Sequence, residues 1–297
     1  MHDDSAATDF DRTLRAAHAR CGAALCVGID PVVEHLPQHY QESQASRAFE
    51  SFSAGVIEAI SPHAAAVKFQ SACYERLGAR GIDALHASIA AAREANLAVI
   101  LDAKRGDIGV SARHYAAAAR ELGAQAITVN AYLGMETLEP YLEAGLAIFV
   151  LVRTSNPGSK DVQDLPLRSG GTLALHMGRL VAELGRQHPG VHAVVGATQG
   201  EQGAVLRAVM PEQLFLLPGL GTQGATIDDL AAFAKLPGQD PADPARGLLP
   251  TASRSIIYAG DAQTGRGNAW QDAVGAAAQA LNDQLRQALA GPASTSA

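Results

Sequence analysis

Short apolar segments alternate with longer amphipathic segments along most of the chain. Within the short segments the apolar residues run continuously instead of alternating with polar ones. This is typical of parallel strands that are covered on both faces. The pattern predicts eight strands, at 23–29, 64–69, 97–103, 125–129, 146–152, 191–196, 213–217 and 255–258.

The amphipathic segments between the strands predict helices. Ile82, Leu85, Ile89 and Ala92, for example, recur at the spacing of one helix face. Helices are predicted at 46–60, 82–95, 110–122, 135–144, 172–187, 200–209, 226–236 and 268–289.

This order of elements predicts an α/β fold that consists of a single (β/α)₈ barrel, also called a TIM barrel. Eight strands with eight following helices in about 270 residues is the count of that fold. An open doubly wound sheet is the alternative, but it usually has fewer units and a G-x-G-x-x-G turn after its first strand. The first turn here reads GIDPVVEHLP and lacks that motif.

No linker divides the chain, so residues 1–297 are expected to form one barrel domain. The segment rich in Pro, Gly and Asp at 237–251 is interpreted as the loop between the seventh helix and the eighth strand. The polar ends of the chain, residues 1 to about 10 and about 290 to 297, are expected to be flexible.

Composition and charge narrow the class of protein. Of 297 residues, 47% are hydrophobic and 18% are charged, which is ordinary for a soluble globular protein. The net charge of −7 argues against binding to nucleic acid or to an anionic membrane. Three cysteines without metal-ligand spacing suit a reducing cytoplasm. Because neither a signal-peptide core nor an apolar run of about 18 residues occurs, we expect a cytoplasmic protein without membrane partners.

Charged residues follow the third predicted strand directly, in the sequence ILDAKRGDIGVS at 100–111. Asp102 and Lys104 are two positions apart, so on a regular strand both side chains point to one side, and Lys68 comes from the neighbouring strand. Chemistry in such barrels lies at the C-terminal ends of the strands. A buried structural ion pair is the alternative interpretation, but burying several charges is costly unless each is paired.

The residue types in this cluster favour decarboxylation. Asp102 and Asp107 favour the ammonium form of Lys104, which disfavours a Schiff base. An ammonium also competes with a divalent metal for carboxylate oxygens, so we expect no metal and no cofactor. A protonated lysine is suited to protonating a carbanion, and a fixed carboxylate is suited to repelling a substrate carboxylate that leaves as carbon dioxide.

A second group of residues is typical of a phosphate site. PGLGTQG follows the seventh predicted strand at 218–224, and Arg254 stands before the eighth. The loops after these two strands form the usual phosphate site of such barrels. Glycines let backbone N–H groups approach phosphate oxygens, and Gln223 and Arg254 supply side-chain donors.

Together these segments resemble the orotidine 5′-phosphate decarboxylase family. DAKRGDIGVS at 102–111 is similar to the family signature D-x-K-x-x-D-[IL]-G-x-T, with Ser111 in place of the final Thr. The segments GIDP, VKFQ, TSNPGS, PGLGTQGA and SRSIIYA occur in the family's order. The length of the chain and the 237–251 segment resemble the longer bacterial subgroup.

The resemblance implies a reaction and a set of catalytic roles. The reaction is the cofactor-free decarboxylation of orotidine 5′-phosphate (OMP) to UMP and carbon dioxide, the last step of de novo UMP synthesis. Lys104 would donate the proton to C6 of the pyrimidine, Asp102 would lie against the departing carboxylate, and Lys68 would complete the charge network. In the homodimer that the resemblance implies, Asp107 would act in the neighbouring subunit's site.

The resemblance also implies a set of substrate-binding residues. Each would contact a different part of OMP or border the neighbouring site. They are Asp30 at a ribose hydroxyl, Ser155 at the pyrimidine, Gln223 and Arg254 at the phosphate, Ile108 and Ser111 beside Asp107, and Asn130.

Two other functions are alternatives. A Mg²⁺-dependent sugar-phosphate lyase of the related barrel group also carries D-x-K-x-x-D on its third strand. Such lyases differ from this chain on the second strand, where they have an acidic metal ligand at the position of Lys68. A non-catalytic barrel that binds a nucleotide is the other alternative. The complete set of Lys68, Asp102, Lys104 and Asp107 argues against it, because a sensor needs no proton donor.

Overall fold

Eight parallel strands form a closed barrel in chain order, and the last strand pairs with the first. The structure is a computed structural model that describes residues 7–22, 24–197, 200–220, 226–235, 247–260 and 269–289. The predicted barrel is therefore confirmed. The strands are β1 Cys26–Ile29, β2 Ala66–Gln70, β3 Ala98–Arg105, β4 Ala126–Val129, β5 Ala147–Arg153, β6 Val191–Val195, β7 Phe215–Pro218 and β8 Leu248–Ala252.

Helices surround the barrel, and most of them match the predicted ones to within three residues at each end. The longer helices are Asp9–Cys21, Ala45–Ile60, Ala79–Glu94, Gly109–Glu121, Leu173–Gln187, Gly200–Val209 and Ala269–Leu289. Short α-helices span Gln38–Gln41, Ser71–Glu75, Glu139–Glu143, Lys160–Gln163 and Arg254–Ile257, and 3₁₀ turns span Val33–His35, Met135–Leu138, Pro157–Ser159 and Asp228–Phe233. The helix predicted at 226–236 is thus only a 3₁₀ turn. Within the described ranges, none of these helices has the length and apolar character needed to cross a bilayer.

The eighth strand was predicted in the wrong place. It spans Leu248–Ala252 and not 255–258, so Arg254 follows the strand instead of preceding it. Proline is normally excluded from central strands, yet Pro250 lies in β8 and pairs with Leu217. Part of the segment interpreted as a loop, 248–251, is therefore strand, and 237–246 lies outside the described residues.

Both faces of the strands are apolar because each face packs against a different layer. The outward residues, such as Val67 and Val99, pack against the surrounding helices. The inward residues, such as Ala66, Ala98 and Phe149, fill the interior of the barrel. This division explains why the strand segments read as continuous apolar runs.

A helix that was not predicted, Asp9–Cys21, closes the N-terminal end of the barrel. Its first turn is capped by Thr8, whose hydroxyl accepts from the backbone N–H of Asp11. Phe10 is fully buried and packs edge-on against Phe149 inside the barrel, with ring centroids 5.5 Å apart. Asp11 also lies 3.0 Å from His192 on β6. The helix includes Asp9 and Phe10, two residues that were expected to be flexible.

Candidate active site

A cavity of about 520 Å³ opens at the C-terminal ends of the strands, where barrel chemistry was expected. Its floor is apolar and includes Leu151, Val194 and Leu216 from three successive strands. Its walls are polar and charged. They include six residues that the sequence predicted as site residues: Asp30, Lys68, Asp102, Lys104, Ser155 and Arg254.

Asp102 lies at the centre of the charged wall and binds an ammonium group on each oxygen. Lys68 Nζ lies 2.7 Å from Oδ2 of Asp102, and Lys104 Nζ lies 2.6 Å from Oδ1. The side chains of Asp102 and Lys68 are 8% and 7% exposed, whereas that of Lys104 is 45% exposed. Lys68 is thus a buried partner of the carboxylate, and Lys104 is the cation that reaches into the open cavity.

The charges of this cluster stabilise one another against the cost of burial. Burial alone would lower the pKa of Lys68, but the carboxylates of Asp30 and Asp102 outweigh it and hold this pKa above its ordinary value. Burial alone would likewise raise the pKa of Asp102, but Lys68 and Lys104 outweigh it and hold this pKa well below its ordinary value. The Lys68–Asp102 pair is therefore fully ionised at neutral pH.

The backbone around Lys104 does not follow the regular strand that the sequence analysis assumed. Leu101 pairs with Ile127 and Arg105 pairs with Val129, so four steps along β3 match two steps along β4. Within this bulge Lys104 has a φ of +47°, a left-handed conformation that L-residues rarely adopt. Lys104 therefore meets Asp102 through a strained turn and not through simple strand alternation.

Thr128 on β4 joins the charged cluster, although it was not predicted as a site residue. It is 1% exposed, and its hydroxyl donates to Oδ1 of Asp102 at 2.8 Å. The same hydroxyl accepts from the backbone N–H of Lys104 at 2.9 Å. In the sequence AITV a threonine is an ordinary strand residue. Its only signal in the sequence is its position two residues after the inward-facing Ala126, which places Thr128 on the inner face of the barrel.

Asp30 lies at the rim of the cluster, at the end of β1. Its Oδ1 is 3.8 Å from Lys68 Nζ, and it is buried without a hydrogen-bond partner among the described residues. Gly28 lets the end of β8 approach here, because a Cβ at Gly28 would lie 1.9 Å from the Ser253 hydroxyl oxygen. The Asp30 side chain as a whole is 31% exposed and lines the cavity, so its carboxylate can accept a hydrogen bond from a ligand hydroxyl.

A buried arginine holds the segment that follows β5. The side chain of Arg153 is fully buried and donates to the backbone oxygen of Thr154 at 2.8 Å, to Gln163 at 3.2 Å and to Asp164 at 3.0 Å. It also donates to the Ser159 hydroxyl. Since Thr154, Ser155, Asn156 and Gln163 all line the cavity, Arg153 fixes one wall of the site from behind.

Several predicted site residues lie beside the cavity instead of in its wall. Asp107, Ile108, Ser111 and Asn130 are not among the described residues that line it. Asp107 accepts from the backbone N–H of Ile108 at 2.8 Å. Gln223 lies outside the described residues, and Arg254 lines the cavity from the exposed first turn of helix Arg254–Ile257.

Apolar side chains are exposed around the segment that carries Asp107. Ile108 and Val110 are 61% and 59% exposed, and Tyr132 and Leu133, which follow β4, are 79% and 50% exposed. Exposed apolar residues grouped in this way are typical of protein interaction sites.

Comparisons with known proteins agree on one family. The chain matches the family model for "Orotidine 5'-phosphate decarboxylase / HUMPS family" over residues 24–266. It is 37% identical to the orotidine 5′-phosphate decarboxylase of Rhodopirellula baltica, over 93% of this chain and 99% of that protein. It is 40% identical to the protein of the same name from Herpetosiphon aurantiacus, over 84% and 90%. The structure of Leishmania donovani OMP decarboxylase matches with a TM-score of 0.79 and 30% identity, over 95% of this chain and 99% of that chain.

Proposed function

This chain belongs to the orotidine 5′-phosphate decarboxylase family, and we propose that Lys104 is the proton donor of its reaction. The reaction is the decarboxylation of OMP to UMP and carbon dioxide in pyrimidine biosynthesis, so the protein is a carboxy-lyase. The observation that carries the proposal is the Asp102 carboxylate with Lys68 on one oxygen and Lys104 on the other.

The proposed mechanism breaks the bond between C6 and its carboxylate directly. The electron pair of that bond stays on C6, and carbon dioxide leaves. Lys104 then transfers one proton from its ammonium group to C6, which gives UMP, and the neutral amine regains a proton from water. The ammonium groups of Lys68 and Lys104 are fixed before the reaction starts, so they stabilise negative charge near C6 without reorganising.

Asp102 has a second proposed role. Its charge would lie against the substrate carboxylate and oppose it until carbon dioxide has left. Because Asp102 is 8% exposed and bonded on both oxygens, it cannot turn away from that position without losing an ion pair.

The proposal also assigns the binding of OMP. Arg254 and Gln223 would hold the phosphate, Ser155 would bind the pyrimidine, and Asp30 would accept a hydrogen bond from a ribose hydroxyl. Asn130 is a further proposed binding residue. Phosphate binding at Arg254, far from C6, supplies binding energy that helps to position the reacting carbon.

We also propose that the protein works as a homodimer with shared sites. Asp107, Ile108 and Ser111 would contribute to the site of the neighbouring subunit. The exposure of Ile108, Val110 and Tyr132 supports this proposal, because a second copy would cover these apolar side chains. A cytoplasmic location is proposed as well, supported by Cys21, Cys26 and Cys73, which form no disulfide among the described residues.

We propose that the reaction needs no metal or cofactor. Both oxygens of Asp102 already bind ammonium groups, and a divalent cation would have to displace one of them. The positive charge of the buried Lys68 would repel such a cation. These contacts disfavour the Mg²⁺-dependent sugar-phosphate lyase, and the position of Lys104 in the cavity disfavours a non-catalytic nucleotide sensor.

The test is to follow the ultraviolet absorbance of OMP with wild-type protein and with Lys104→Ala. Wild type is expected to turn over OMP, and the variant is expected to lose nearly all activity because no proton donor remains. Lys160→Ala, which removes an exposed lysine, serves as the matched control and is expected to retain activity. Absence of turnover by wild type, or unimpaired turnover by Lys104→Ala, would contradict the proposal.

A further inference from the structure

The hydroxyl of Thr128 connects the side chain of Asp102 to the backbone of Lys104. It donates to Oδ1 of Asp102 at 2.8 Å and accepts from the backbone N–H of Lys104 at 2.9 Å. Oδ1 is also the oxygen that binds Lys104 Nζ. Thr128, Asp102 and Lys104 therefore form a closed ring of three contacts, in which Lys104 takes part through both its backbone N–H and its Nζ.

The direction of both hydrogen bonds is fixed by the chemistry of the partners. An ionised carboxylate only accepts, and a backbone N–H only donates, so the single hydroxyl proton has to point to Asp102. The pKa of Asp102 is held well below its ordinary value, against its burial, by the charges of Lys68 and Lys104, so this carboxylate stays ionised. Thr128 thus has one orientation, and both bonds depend on it.

The backbone bond matters because Lys104 lies in the bulge of β3. The bulge takes Lys104 out of the register in which Leu101 pairs with Ile127. The hydroxyl of Thr128 takes the bond that this N–H donates, and a φ of +47° needs such support to persist. Without the hydroxyl, the backbone N–H of Lys104 and the buried Oδ1 of Asp102 would each lose a partner.

We propose that Thr128 is a positioning residue for the reaction. By holding Oδ1 of Asp102 and the backbone of Lys104 at once, it sets where Lys104 Nζ lies relative to C6 of the substrate. This inference rests on the proposed role of Lys104 as proton donor. Thr128 acts through Asp102 and Lys104 and does not itself transfer a proton.

The decisive comparison is between Thr128→Ser and Thr128→Ala. Both variants lose the same methyl group, so they differ only in the hydroxyl. Thr128→Ser is expected to keep kcat within about threefold of wild type, whereas Thr128→Ala is expected to lower kcat about 10- to 100-fold, because a misplacement of about 1 Å can cost two orders of magnitude in rate. Thr128→Val, which keeps the shape of the side chain but removes the hydroxyl, is expected to behave like Thr128→Ala.

Two further measurements separate positioning from general damage to the site. The dissociation constant of UMP and the KM for OMP are expected to change less than about threefold in Thr128→Ala, because the proposed phosphate and pyrimidine contacts lie elsewhere in the cavity. A loss of UMP affinity as large as the loss of kcat would overturn the proposal, as would equal kcat values for the Ser and Ala variants. If Thr128→Val does not fold, the comparison of Thr128→Ser with Thr128→Ala still tests the positioning role of Thr128.

The role of Thr128 can be overturned while the role of Lys104 stands, but the reverse is not possible. If wild type turns over OMP and Lys104→Ala does not, but Thr128→Ala is as active as Thr128→Ser, only the role of Thr128 is overturned. If Lys104→Ala is as active as wild type, the role of Lys104 is overturned, and the role of Thr128 is overturned with it.

Discussion

Lys104 and Asp102 form a close ion pair, with 2.6 Å between Nζ and Oδ1, although a bulge interrupts the strand that carries them both. The bulge gives Lys104 a left-handed backbone conformation and leaves 45% of its side chain exposed to the cavity. The pair therefore combines a buried, fixed anion with an accessible cation. On a regular strand, the side chains of Asp102 and Lys104 would be more similar in exposure.

Metal removal is expected to leave the activity unchanged. Because Lys68 and Lys104 occupy both oxygens of Asp102, EDTA is expected to alter kcat/KM for OMP by less than about twofold. The measurement is the ultraviolet assay with and without EDTA, beside a Mg²⁺-dependent lyase treated in the same way. Activity that disappears in EDTA and returns with Mg²⁺ would refute this expectation.

Mixing two inactive variants is expected to restore activity if the sites are shared. A heterodimer of Lys104→Ala and Asp107→Ala has one site with both residues intact, so random reassembly is expected to give about a quarter of wild-type activity. The measurement is OMP turnover after joint unfolding and refolding of equal amounts.

A control mixture tests whether the recovery reports sharing. Lys104→Ala mixed with Asp102→Ala is expected to regain nothing through sharing alone, since both residues act in the site of their own subunit. No recovery from the first mixture, despite heterodimers verified by differently tagged chains, would count against shared sites.

Arg153 is expected to be important for stability. Arg153→Met removes the partner of Asp164, which is 27% exposed, and of the buried Ser159 hydroxyl. Losing these charge-assisted hydrogen bonds is expected to lower the free energy of unfolding by about 2–3 kcal/mol. Arg186→Met is the matched control. Arg186 pairs with Glu183 on an exposed helix surface, where the loss is expected to stay below about 1 kcal/mol. Urea unfolding followed by circular dichroism compares the two, and equal losses would show that Arg153 does not hold its segment.

The ion pairs of Asp102 are expected to make stability depend on pH in the acid range. The pKa of Asp102 in the folded protein is held below its ordinary value of 3.8, so the carboxylate stabilises the fold above that value and loses its contribution as the pH falls. The difference in free energy of unfolding between wild type and Asp102→Asn is expected to shrink by about 1 kcal/mol between pH 6 and pH 3. Denaturant titrations at several pH values measure it, and parallel curves for the two proteins would contradict the linkage.

The sequence predicts the barrel well because the alternation of apolar and amphipathic segments is repeated along the chain. Each strand is an apolar run that packs on both faces, and small errors at single ends do not change the count. The eighth strand was misplaced because the segment rich in Pro, Gly and Asp, which includes Pro250, was interpreted as a loop. The buried Ile256 and Ile257 at the end of a short helix were interpreted as part of the strand instead. Phe10, Leu14, Ala17 and Cys21 carried the helical spacing of the N-terminal helix, but the acidic residues around them suggested a flexible end.

The sequence predicts charged residues that line the cavity, and it misses residues whose place depends on how neighbouring strands align. Lys68, Asp102 and Lys104 stand out because charged residues rarely follow buried strands without a purpose. Thr128 and Arg153 do not stand out. A threonine in a strand and an arginine at its end are common, and only the closed barrel brings one into contact with Asp102 and buries the other behind the cavity wall.

The N-terminal helix has a consequence for how reactants and products move. Phe10 and the inward side chains around Phe149 fill the barrel below the floor formed by Val194 and Leu216, so among the described residues the cavity is closed at that end. In the proposed mechanism, carbon dioxide forms beside Asp102 and Lys104, while the phosphate is held at Arg254. The filled interior therefore leaves no route through the barrel, and under the proposed mechanism carbon dioxide and the nucleotide would leave from the same end of it.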